Sequence, residues 1–183
     1  MCGRKFLFHW GQVVRTSQEL TGLPVIELCR GRKVGEVSGV LCDATDKKVY
    51  ALLVHTGHLF RQKGYIRWSD IYSLGADAVT VQHLSAVKEL TAATPAPSDS
   101  YLQKQVMTTS GQLLGRVEDI TLDPKTGRII GCVLTDGLMG DLLHGRSIIP
   151  LVDNAIINDE HMIVPDEPRG SEHDKKFTVP KLL

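Results

Sequence analysis

The chain is poor in the features by which a sequence usually announces chemistry. It has no net charge, because 21 Lys and Arg balance 21 Asp and Glu. That balance does not suit a protein held to nucleic acid by broad phosphate neutralisation, which needs a basic face. It has four cysteines, Cys2, Cys29, Cys42 and Cys132, and none is spaced as a CxxC or other metal-like pair. Cys42 and Cys132 fall in apolar, strand-like runs, where a buried free thiol is the ordinary outcome, so a reduced, cytoplasmic compartment is expected. No run approaches the ~20 apolar residues of a membrane helix, so no integral membrane span is expected. The start, residues 1–10, has two basic residues and a short apolar patch that His9 and Gly11 interrupt, well short of a signal-peptide core. There is no P-loop, no G-x-G-x-x-G and no G-x-S-x-G elbow. The seven histidines are scattered singly, and the nearest pair, His55 and His58, has no carboxylate or Cys at ligand spacing. No catalytic residue, cofactor or metal is therefore expected.

What the chain does have is a repeat. Val34-Gly35-Glu36-Val37, then Asp43, then the run from Val49 to Gly57 forms one copy. Leu114-Gly115-Arg116-Val117, then Asp123, then the run from Ile129 to Gly137 forms the other. Gly35 to Gly115, Asp43 to Asp123 and Gly57 to Gly137 share the offset 80. Two domains of about 70 residues follow, and a domain that small buries only ~60% of its unfolded surface. The copies are expected to pack on each other or on a second chain, as a homodimer would allow. Their charges differ: residues 15–90 carry ten Lys/Arg against eight Asp/Glu (+2), and residues 91–165 carry five against nine (−4).

Within each copy the pattern is of short strands. Thr16 with Glu19 three residues on reads as a capped helical turn stopped by Gly22, and Pro24 to Leu28 reads as a strand. The apolar positions Val34, Val37, Val40 and Cys42 recur as Leu114, Val117, Ile120 and Leu122, with a spacing that starts at three and ends at two. A bulge near Gly39 reconciles that pattern with one curved strand. Asp43 and Asp123 open hairpin loops, where an Asp can accept backbone N–H bonds. The runs 49–54 and 129–134 are apolar at nearly every residue, as a strand covered on both sides requires. A glycine-bounded loop follows, residues 57–64 and 137–145, then a strand, then a small hairpin. The expected fold is all-β: two tandem small antiparallel β-barrels with short helical turns, which also hides sheet edges.

The expected boundaries are an N-terminal arm at 1–14, a first barrel at 15–84, a linker at 85–100, a second barrel at 101–165 and a disordered tail at 166–183. A helical turn is expected near 85–90. Weak membrane contact through Phe6, Phe8 and Trp10 of the arm is a minor alternative.

This order of Gly-x-Val, Asp hairpin, long apolar strand, glycine loop, "Ile-x-Trp/Pro" strand and closing hairpin resembles the PRC-barrel domain, in both copies. The family includes the cytoplasmic domain of the photosynthetic reaction centre H subunit and the C-terminal domain of the ribosome maturation factor RimM. The chain departs from both, having no membrane helix and two barrels of one type, and is similar to tandem PRC-barrel proteins of bacteria. The resemblance implies a docking role for protein or ribonucleoprotein partners and carries no catalytic residues, because fold alone does not deliver function.

The loops after the long strand are where a site is expected. The first carries His58, Phe60, Arg61 and Lys63, with Arg67 and Trp68 just beyond, a basic-aromatic grouping that fits RNA phosphate and bases or an ordinary solvated turn. The second carries Leu138, Met139, Leu142 and Leu143, large apolar residues in a polar loop that mark contact with the other barrel or a partner. The leading expectation is a non-enzymatic interaction or scaffold protein that docks a protein partner through these loops. The alternative is an RNA- or ribosome-associated factor. A small-ligand binder or enzyme using a cleft between the barrels ranks third.

Overall fold

A computed structural model of the chain describes residues 6–7, 13–43, 45–56, 62–90, 101–136, 147–158 and 160–166. By its contacts the chain divides into two compact units, Met1–Ser98 with Leu122–Arg128, and Asp99–Thr121 with Ile129–Leu183.

The first unit opens with strands β1 (Phe6–Leu7) and β2 (Val13–Thr16), an antiparallel pair with Phe6 opposite Val14. Helix α1 (Ser17–Leu20) follows under a full capping box: Thr16 Oγ1 accepts from the Glu19 N–H at 3.2 Å, and Glu19 Oε2 accepts from the Thr16 N–H at 3.1 Å. The turn stops where Gly22 takes φ +88°, and Leu20 at its end is fully buried. The sheet then uses β3 (Pro24–Glu27), β4 (Arg32–Asp43), β5 (Lys48–Thr56), β6 (Gln62–Arg67), β7 (Ile71–Leu74), β8 (Val79–Val81) and β9 (Lys88–Glu89). Their lateral order is β7-β8-β3-β4-β5-β6-β9. All neighbours are antiparallel except β3 and β8, which run parallel with Val25 opposite Val79.

The long strand β4 is curved where expected, its register against β5 shifting between Val37 and Gly39 and again between Leu41 and Cys42. Such a shift bends the strand and adds twist, which a sheet of this few strands needs in order to wrap a core. That core holds Leu20, Val25, Val37, Leu52, Val54, Ile66, Val79 and Val81, all nearly or fully inaccessible. Sheltering a side chain such as Leu52 contributes about 2 kcal/mol. The segment expected as a helical turn resolves into a 3-10 turn at Leu84–Ala86 followed by β9, which pairs with β6 through Gly64 opposite Glu89. A Cβ at Gly64 would meet the Lys88 carbonyl oxygen at 2.9 Å, so glycine is what lets β9 close onto β6.

The second unit repeats the plan with β10 (Gln105–Thr108), β11 (Leu113–Leu122), β12 (Ile129–Asp136), β13 (Ser147–Pro150), β14 (Ile156–Ile157) and β15 (His161–Val164). The order is β14-β15-β10-β11-β12-β13, again with one parallel pair, β10 and β15. Tyr101, Val106, Val117, Ile120, Cys132, Leu134 and Met162 form its core. The apolar positions matched between the copies largely coincide in burial: Val37 with Val117, Cys42 with Leu122, Val25 with Val106 and Val79 with Met162 are all buried.

Candidate functional site

The recurring carboxylates are structural. Asp43 Oδ1 accepts from the N–H groups of Thr45 at 2.9 Å and Asp46 at 3.0 Å. Asp123 accepts from the Lys125 N–H at 2.9 Å and from the Thr126 hydroxyl at 2.8 Å. Each clasps its own hairpin.

Of the residues singled out by sequence, Phe60, Arg61, Leu138, Met139, Leu142 and Leu143 lie outside the described residues. Lys63, Arg67 and Trp68 lie within the first unit. Lys63 belongs to a strand rather than a loop, because β6 begins at Gln62. Lys63, Tyr65 and Arg67 alternate onto one face of β6, which spaces the two cations by about 13 Å. Both are exposed, whereas Tyr65 between them is buried. Tyr50 on the neighbouring strand, and then Tyr65, hold the Arg67 guanidinium above its ordinary range.

Trp68 starts a 3-10 turn and is half-buried. Its indole is covered by Gly127 in the segment Leu122–Arg128, which belongs to the first unit by its contacts: a Cβ on Gly127 would lie 2.8 Å from the indole. Gly127 reaches this place with φ +71°, and its carbonyl accepts from the Val49 N–H at 2.8 Å. Asp43, Lys48, Tyr50, Arg67, Trp68 and Thr126 border a small groove of about 230 Å³ here. Of the expected cluster, the structure thus places Arg67 and Trp68 at one groove and Lys63 further along the strand.

One constellation escaped the sequence reading. Cys29 Sγ lies 3.1 Å from His83 Nδ1, both side chains exposed. They are 54 residues apart in sequence and meet because β3 and β8 run parallel, the Cys29 N–H reaching the Gln82 carbonyl just beyond the ladder. No local spacing signals that pairing. Close by, the buried carboxylate of Glu27 accepts from Arg32 Nε at 2.8 Å and from the Leu84 N–H at 3.3 Å. The Arg32 bond is the chief reason that Glu27 ionises more readily than an ordinary glutamate. Among the described residues no group of three His, Cys, Asp or Glu is placed to hold a metal ion, and no helix is long and apolar enough to cross a membrane.

The PRC-barrel domain model matches the chain twice, over residues 13–88 and 98–170. These spans cover most of the chain and coincide with the two sets of repeated strands, each with the same order and its one parallel pair. The chain belongs to the PRC-barrel family. A search of curated proteins returns no match.

Proposed function

We propose that the chain is a non-enzymatic, cytoplasmic docking protein that holds a protein partner through the ends of its two barrels, residues 57–64 with β6 in the first and residues 137–145 in the second. The observation that carries this reading is what its carboxylates do. Asp43, Asp123, Glu27 and Asp166 each bind hairpin N–H groups, hydroxyls or an arginine of their own unit. Chemistry would need such groups poised towards a substrate. A duplicated barrel stabilised in this way supports a scaffold role, with Lys63 and Arg67 exposed beside the first loop and Leu138, Met139, Leu142 and Leu143 supplying apolar contact in the second. The three described cysteines are free thiols, which supports a reducing compartment.

Affinity capture with the full chain tests the proposal. A defined partner that binds the parent and is lost from the Leu142→Ser/Leu143→Ser variant, at unchanged melting temperature, supports it. Capture unaltered by the double substitution, or no partner at all, defeats it. The RNA-associated reading rests on Arg61, Lys63 and Arg67, with Trp68 half-buried beside Gly127. Ribosome co-sedimentation falling steeply with salt would favour that reading over docking to a protein.

A further inference from the structure

The second unit contains an open groove of about 400 Å³ bordered by Leu102, Gln103, Lys104, Gln105, Arg116, Glu160 and His161. Its floor follows from strand register. Gln105 on β10 lies opposite Arg116 on β11 and opposite His161 on β15, so the three side chains form one row across three adjacent strands. Their neighbours Val106, Gly115 and Met162 form the next row, with Val106 and Met162 turned into the core. Arg116 is exposed and His161 half-buried. Lys104 stands at the margin with only 4% of its surface accessible, and its ammonium donates to the Asn158 carbonyl oxygen. An ammonium has three donors, and among the described residues this is the acceptor Lys104 finds. Two of the five Lys and Arg of the acidic half, residues 91–165, therefore meet at one groove, where Glu160 is the one carboxylate among the described residues that border it. The Glu160 carboxylate lies 3.9 Å from His161 Nδ1.

The first unit shows that the barrel itself does not require this arrangement. The main-chain bonds from Gln103 to Val117 and from Val117 to Lys104 are matched by those from Gly22 to Val37 and from Val37 to Leu23. Pairing of Pro24 with Glu36 matches that of Gln105 with Arg116, and Ala78, just before Val79, stands where His161 does. At the same places the first copy thus has Gly22, Leu23, Pro24, Glu36 and Ala78, a set without a cation. The substitution at Gly22 is the most telling. Gly22 takes φ +88°, and Gln103 holds the same left-handed turn with φ +71°. That conformation is costly for a side chain and free for glycine. A strained glutamine retained beside a cationic row points to a binding role for its amide.

We propose that this groove of the second unit is a binding site for a small oxyanion, the phosphate or carboxylate group of a low-molecular-weight ligand. Arg116 supplies a forked pair of donors, Lys104 a desolvated ammonium, and Gln103 and Gln105 neutral donors that orient the group. The proposal is independent of docking through the barrel ends.

Titration of the full chain with inorganic phosphate and, separately, with citrate, followed by amide chemical shifts, tests it. Saturable shifts confined to residues 103–105, 116 and 160–161, at millimolar concentration and beyond those caused by sodium chloride of equal ionic strength, are expected. The stronger probe distinguishes a phosphate ligand from a carboxylate. Arg116→Gln, at an exposed position, weakens binding about tenfold, and Glu36→Gln in the first unit leaves it unchanged. Gln103→Gly weakens binding while raising the melting temperature. Failure of both probes to give saturable groove shifts, or shifts undiminished in Arg116→Gln, would overturn the proposal.

Discussion

Gly35 lies so close beneath His55 that a Cβ on it would stand 2.7 Å from the His55 carbonyl oxygen and 2.6 Å from Val54 Cγ1. In the second copy Gly131 is also tight, since a Cβ there would meet the Ile149 carbonyl oxygen at 2.6 Å. Neither close atom is the end of a flexible side chain, apart from the Val54 methyl. Gly35 and Gly131 are therefore contact surfaces for a neighbouring strand.

Gly35→Ala and Gly131→Ala are each expected to destabilise their own unit by about 1–3 kcal/mol, the usual cost of overpacking. Gly39 is the internal control, since the nearest atom to its Cβ would be Leu53 Cδ1 at 3.8 Å. Gly39→Ala should change stability by less than about 0.5 kcal/mol. Urea denaturation of the three variants checks the contrast.

The cysteines should differ sharply in reactivity. Burial pushes the Cys42 thiol up to about 12, and Cys132 is fully buried, whereas Cys29 is exposed beside His83. The thiolate is the nucleophile, so the native protein at pH 8 should be alkylated by iodoacetamide at Cys29 and remain unmodified at Cys42 and Cys132 until unfolded. Peptide mass spectrometry reads the order. His83→Ala should alter the rate at Cys29, since it removes the imidazole 3.1 Å from its sulfur.

Asp166 ties the end of the second barrel to its first turn. Its carboxylate accepts from the Thr109 hydroxyl at 2.8 Å, the Ser110 hydroxyl at 2.5 Å and the Ser110 N–H at 3.2 Å. These bonds, that of Ser110 first, hold it far below the ordinary carboxylate range. A depressed folded value means that the contribution is complete above the unfolded value of about 4 and is lost as pH falls below it. Parent and Asp166→Asn should therefore differ in melting temperature by a constant amount from pH 7 to 5 and converge as the pH is lowered further. A gap that widened on acidification would contradict the assignment.

The parts of this fold that were legible in the sequence are those written over a few neighbouring residues. The box of Thr16 and Glu19, the bulge by Gly39 and the clasps of Asp43 and Asp123 each need only local hydrogen bonds or a change of apolar period. The parallel pairing of β3 with β8 was not legible, because nothing in either strand records the direction of its partner. Everything that depends on that pairing was hidden with it, including Cys29 beside His83. The row of Arg116, Gln105 and His161 was obscured for a related reason. Its members lie on three strands, and only the register of all three places them together. Trp68, an aromatic that reads as a contact for bases, is half-buried at the edge of a groove with Gly127 against its indole.

The capping box offers a last test, since it anchors the entry to the first barrel. Glu19 Oε2 accepts from the Thr16 N–H and from Arg15 Nε at 3.2 Å, while Arg15 also donates to the Gly75 carbonyl oxygen at 2.9 Å. One carboxylate thus joins the helix start to an arginine that reaches the hairpin between β7 and β8. Thr16→Ala removes the acceptor for the Glu19 N–H and should cost about 1 kcal/mol, with Thr16→Ser restoring most of it. Glu19→Gln keeps an acceptor for the Thr16 N–H and loses the charge facing Arg15, so its cost should be the smaller of the two, and only that cost should shrink with added salt. Thermal melts of the three variants at low and high salt measure both differences, and an equal salt response in Thr16→Ala and Glu19→Gln would show that the box is held by charge rather than by its hydrogen bonds.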